Sequence, residues 1–181
     1  MREPLTAEDE AAVTAQLQRS PRGVAGVAYR CPCGRPAVVA TRPRLADGTP
    51  FPTTYYLTCP RATAACSTLE SRGVMAEMTA RLAEDDQLAT HYRQAHQSYL
   101  DDRAELGEVP EIGGVSAGGM PDRVKCLHVL AAHSLAAGPG VNPLGDETLA
   151  AVGPFWRRPC LEGTPPHGAR LDEAKPNGEP S

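Results

Sequence analysis

CPCGRPAVVATRPRLADGTPFPTTYYLTCP, residues 31–60, is the stretch whose reading decides the fold. PAVVATRPRL (36–45) opens apolar and β-branched, and FPTTYYLT (51–58) is rich in Thr and Tyr, so both suit strands. Between them ADGTP (46–50) carries Asp47-Gly48, a strong turn signal. The three pieces predict a β-hairpin. VAGVAYR (24–30) has the character of a third antiparallel strand, weakened by Gly26. Strand alternation sends Tyr55 and Tyr56 to opposite faces, so one of them belongs to the core. Cys31 and Cys33 enter the first arm and Cys59 leaves the second. A hairpin brings its outer ends together, so these three cysteines are expected close to one another.

Outward from the hairpin the pattern turns helical. Upstream, Thr6 and Asp9 form an imperfect capping box for a helix that carries Val13 and Leu17 on one face. Downstream, Pro60 suits the first turn of a helix that Gly73 stops near Arg72. Residues 74–106 read as one or two helices, with Asp85-Asp86 a new cap and Leu88, Tyr92, Ala95 and Tyr99 an apolar stripe. GEVPEIGGVSAGGMP (107–121) is a Gly-rich loop without phosphate-loop spacing. A helix is expected over 121–137, opened by Pro121 and closed by Gly138-Pro139, followed by a short helix capped by Asp146. The expected architecture is α+β: a small antiparallel hairpin sheet packed with several helices. It forms a single domain over 1–160, with a disordered tail over 161–181 that has little to bury.

The 181 residues suffice for a real core without covalent staples. With aromatics at 4%, that core leans on Leu, Val and Ala. A net charge of −4 argues against general nucleic-acid binding. No apolar run of membrane-spanning length and no leader-like apolar segment is present, so a cytoplasmic protein is expected. In such a reducing compartment six cysteines read as ligands, reactive thiols or buried hydrophobes rather than a disulfide framework.

A metal needs its donors converged within a few ångströms. Zinc takes four, and iron–sulfur clusters take cysteine thiolates. The chain has one C-x-C and no CxxC, so the argument for a site rests on topology. Cys31, Cys33 and Cys59 meet at the open hairpin end, Cys126 lies on a helix that must pack on something, and Cys160 ends the ordered chain. These five are the candidate ligands for zinc or an iron–sulfur cluster. Inert burial, a reversible disulfide or a reactive thiol are the other readings of the set. Cys66, in mid-helix, reads as plain burial.

RVKCLHVLAAHSL (123–135) invites a Cys–His pairing. On a helix that starts at Pro121, Cys126 lies in the second turn, where the dipole, Arg123 and Lys125 favour its thiolate. His133 shares its face but stands about 10 Å along the axis. His128, two residues away, points to the far side and is not expected to share a partner with Cys126. His133 reads as a hydrogen-bonded core histidine, and His91 and His96 as solvated.

The two strings CPCGRPAVVATRPRLADGTPFPTTYYLTCP and GGMPDRVKCLHVLAAHSLAAGPGVNPLGDE resemble the signature blocks of the DUF501 family, bacterial and typically actinobacterial proteins with no assigned reaction. The resemblance spans roughly residues 5–160. It matches Cys31, Cys59, Cys126 and His128 to family positions and makes Cys66 a departure. It implies a cytoplasmic single-domain protein, with gene neighbours that point weakly to cell division, and it brings no catalytic residues. The leading expectation is a metal- or iron–sulfur-binding protein. The rivals are a metal-free interaction module with a protein partner, and a thiol enzyme using Cys126.

Overall fold

The computed structural model describes residues 2–161. The expected tail therefore falls, from residue 162 onward, outside the described residues. An N-terminal helix α1 (Ala7–Leu17) precedes three strands, β1 (Val24–Arg30), β2 (Pro36–Thr41) and β3 (Tyr55–Leu57). Five helices follow: α2 (Pro60–Ser71), α3 (Val74–Glu84), α4 (Asp86–Ala104), α5 (Leu127–Ala137) and α6 (Pro143–Val152). The strands form one antiparallel sheet in the order β1-β2-β3. The α+β class and the hairpin are as the sequence predicts.

The turn between β2 and β3 is built as its residues dictate. Gly48 adopts φ +84°, where a Cβ would be strained, and the Asp47 carboxylate accepts from the Thr49 N–H at 3.0 Å. All six residues of central β2 are buried, with α1 and α5 both packed on it. Tyr55 goes to the core while Tyr56 stays half-exposed. The α4 stripe is buried at Tyr92, Ala95 and Tyr99.

The capping box of α1 is complete. The Thr6 hydroxyl accepts from the Asp9 N–H, and the Asp9 carboxylate accepts from the Thr6 N–H. Asp9 is buried against Arg30 at 2.7 Å, and the Arg30 hydrogen bonds hold its carboxyl down at about 2. Thr6→Ala should therefore lower unfolding stability by about 1 kcal/mol, read from the urea midpoint. An unchanged midpoint would show that Arg30 alone anchors the helix start.

Three expectations are corrected. The helix expected over 121–137 begins at Leu127, because Gly118 and Gly119 at positive φ fold the chain back on itself. The Lys125 N–H then donates to the Gly118 carbonyl at 2.7 Å instead of continuing a helix from Pro121. The cap of α6 is Asn142, whose side chain accepts from Gly145 N–H with Pro143 at the first helical position. Asp146 sits inside the first turn. His96 is half-buried, with its Nδ1 2.8 Å from the Ser116 hydroxyl, so it holds the Gly-rich loop. Arg103, also buried, secures the same loop by donating to the carbonyls of Ile112 and Val115.

Candidate functional site

The five candidate ligand cysteines divide between two places. At the open end of the sheet, Cys31 follows β1, Cys33 sits in the tight turn after it, and Cys59 is the residue before α2. The nearby Cys59 thiol lowers the pKa of Cys31 while burial and the Cys33 thiol oppose it, so the three stand near one another as the hairpin topology requires. Cys160 arrives from the far end of the described chain, with its sulfur 3.7 Å from that of Cys33. All four are buried and none is in a disulfide.

Cys126 belongs to a second group. It occupies the N-cap position of α5 with extended backbone (φ −156°, ψ 113°), not the second helical turn. That change of backbone overturns the geometric objection to a Cys126–His128 pairing, since Cys126 lies off the helix and the 100° steps that separate side chains no longer apply. The Cys126 sulfur lies 3.7 Å from His128 Nδ1. Glu70, near the C-terminal end of α2, completes the group. Its carboxylate is 3.0 Å from His128 Nδ1 and accepts from the Leu127 N–H at 2.7 Å. A carboxylate is favoured there, at the positive end of α5. The three donor atoms lie within 4.8 Å of one another, so the group could hold a metal ion.

The far side of the His128 ring is also held. Nε2 lies 3.1 Å from the Thr63 carbonyl and 3.3 Å from the Ser67 hydroxyl, both on α2. A carbonyl can only accept, so Nε2 carries a proton and Nδ1 faces Cys126 and Glu70. Without a metal, hydrogen bonding to Cys126 pushes His128 up to about 9 against the opposing effect of burial, with Glu70 adding to the rise. Cys126 and His128 line a cleft of about 670 Å³. The threonines Thr53, Thr58 and Thr63 and the rings of Tyr55 and Tyr56 form part of its wall.

Cys66 is fully buried on α2, and burial pushes its thiol up to about 12. It stays protonated at neutral pH, as its reading as a core residue requires. His133 is fully buried with its Nδ1 3.3 Å from the Asn142 amide nitrogen, the hydrogen-bonded core histidine expected.

Sequence reasoning missed Glu70. An acid near a helix end reads as solvated, and nothing in STLESRG (67–73) signals a partner 58 residues away.

The two groups and the hairpin that separates them lie largely within one recognisable block. The profile of a family described as "Protein of unknown function (DUF501)" matches residues 27–150, well over half of the chain. The chain belongs to the DUF501 family. The DUF501 block holds Cys31, Cys33, Cys59, Glu70, Cys126 and His128, while Cys160 and α1 lie outside it. No curated protein and no solved structure matches this DUF501 chain. No helix among the described residues is long and apolar enough to cross a membrane.

Proposed function

We propose that the chain is a metal-dependent protein whose working centre is an open zinc-type site formed by Glu70, Cys126 and His128. The observation that carries this reading is the convergence of three different donors, Oε1, Sγ and Nδ1, within 4.8 Å, two of them on residues that line a cleft. Closed structural zinc sites use four protein ligands. Sites with three keep a position for water or substrate, and there the ion activates water or polarises a carbonyl or phosphoryl oxygen. Two of the three donors, Cys126 and His128, line the cleft, so an ion held by the group would keep a position there for water or substrate. The Nε2–H to Thr63 carbonyl contact is the outer-shell hydrogen bond that ligating histidines commonly make. A cytoplasmic setting, where thiolates stay reduced, is part of the proposal.

The expected result is a loss of one zinc ion per chain, by elemental analysis, in each of Glu70→Gln, Cys126→Ser and His128→Ala. Cys66→Ser should keep full metal content and cost about 1–2 kcal/mol of stability, a local packing effect. Wild-type metal content in His128→Ala and Cys126→Ser would sink the open-centre reading. The 3.7 Å Cys126–His128 contact favours a second reading, a thiol nucleophile activated by an imidazole. Under it, metal content would be unchanged and alkylation of Cys126 by iodoacetamide would slow in His128→Ala.

A further inference from the structure

The four remaining cysteines hold a structure of their own. We infer that Cys31, Cys33, Cys59 and Cys160 form a second, closed tetrathiolate site for a single zinc-class ion, which fastens the segment after α6 to the open end of the sheet.

The ligands come from three separate stretches of chain, and each is placed by its own local structure. Residues 31–35 form a tight turn. The Gly34 N–H donates to the Cys31 carbonyl at 2.7 Å, with Gly34 at φ +83°, and the Cys31 N–H donates to the Arg35 carbonyl at 2.9 Å. This turn keeps two cysteines one residue apart close enough for one thiol to shift the other. Cys59 ends the returning hairpin arm at the start of α2. Cys160 is held in place by its neighbour, since the Pro159 carbonyl accepts from Arg61 Nε at 2.9 Å on that same helix. The Cys33 and Cys160 sulfurs are in direct contact at 3.7 Å, and Cys31 and Cys59 are near enough to shift each other's thiol.

Two features fit this arrangement to a tetrathiolate site. The first is spacing. Two thiolates each about 2.3 Å from one tetrahedral ion stand roughly 3.8 Å apart, and the Cys33 and Cys160 sulfurs, 127 residues apart in sequence, are separated by 3.7 Å. A disulfide would place them at about 2 Å. In a four-iron cluster each thiolate binds a different iron, so the sulfurs are not drawn onto one centre.

The second feature is polar. A buried apolar thiol has no need of a donor, yet the Cys160 sulfur is given one. Cys160 accepts from Gln16 Nε2 at 3.3 Å. Such a bond stabilises sulfur as thiolate. Four thiolates on one divalent ion leave two negative charges. Arg35, two residues from Cys33, is buried, and its Nε has no hydrogen-bond partner among the described residues.

The site is independent of the cleft-side centre, and one set of full-length proteins separates the two. In Glu70→Gln/His128→Ala, which removes the open centre, one zinc per chain should remain, with X-ray absorption showing four sulfur neighbours and cobalt substitution giving the intense visible bands of a tetrahedral thiolate ion. Cys33→Ser and Cys160→Ser should each lose one ion relative to wild type while the Glu70–Cys126–His128 ion stays. Should either variant fail to fold, the wild type still tests the proposal. A mercurial titration should release one zinc as these four thiols react, with Cys66 protected. The inference is overturned by a double variant free of metal, by nitrogen or oxygen among its ligands, or by a brown protein containing iron and acid-labile sulfide.

Discussion

Acidification from pH 7 to pH 4 should cost the fold about 3 kcal/mol through a single side chain, His133. The imidazole is fully buried, stacked on Tyr55 at 5.9 Å between ring centres and edge-on to Tyr99 at 5.1 Å. Among the described residues its hydrogen-bond neighbour is Asn142, and that contact is fixed in sense. The Asn142 carbonyl oxygen already accepts from the Gly145 N–H at 3.0 Å as the cap of α6, so its NH₂ faces His133 Nδ1 at 3.3 Å. Nδ1 must accept, and a proton there would set two donors against each other. Nε2 is buried with no hydrogen-bond partner among the described residues.

Desolvation accordingly presses His133 down to about 4 from the ordinary 6.5, with the Asp146 charge opposing it. Between those two values the unfolded chain binds a proton that the folded chain refuses. Stability therefore falls as pH drops from 6.5 and levels off below 4. Carboxylates titrate in part of the same window, so the measurement is a difference. Urea unfolding of wild type and His133→Gln at pH 7, 5.5 and 4 should show the variant less stable at neutral pH but with a shallower acid loss. Parallel curves for the two proteins would refute the role of His133.

Gly145→Ala should destabilise the chain by about 2 kcal/mol, roughly 4–8 °C in thermal midpoint. On helix propensity alone the same change gains up to about 1 kcal/mol, because alanine is the better helix former. The sign reverses because a Cβ on Gly145 would run into the Leu130 carbonyl oxygen and the Ser134 hydroxyl of α5. A backbone oxygen cannot turn aside, so α5 and α6 would have to separate. The effect reaches function, since α5 begins at the residue after Cys126 and carries His128 in its first turn. The variant should bind metal more weakly at the Glu70–Cys126–His128 centre as well as melt earlier. A raised midpoint in a thermal scan would contradict the α5–α6 packing.

The two groups of cysteines answer to different kinds of information. What residues 24–60 encode is local: β-branched runs, an Asp-Gly turn and flanking prolines act within a few residues of themselves. The antiparallel sheet, the meeting of Cys31 with Cys59, the α1 capping box and the α4 stripe were therefore legible from the chain alone. So was the burial of Cys66 and His133, which sit amid apolar helical neighbours. The start of α5 was not. Pro121 is a fair opening signal, but two left-handed glycines upstream and a carboxylate from α2 at the Leu127 N–H moved the helix start by six residues. That shift put Cys126 on extended backbone, beside the histidine from which a helix would have parted it. Only tertiary structure could bring Glu70 to His128 across 58 residues, or Cys160 to Cys33 across 127. Side-chain periodicity reports which face of an element is buried. It carries no record of what lies against that face, and both candidate centres are assembled from contacts of that second kind.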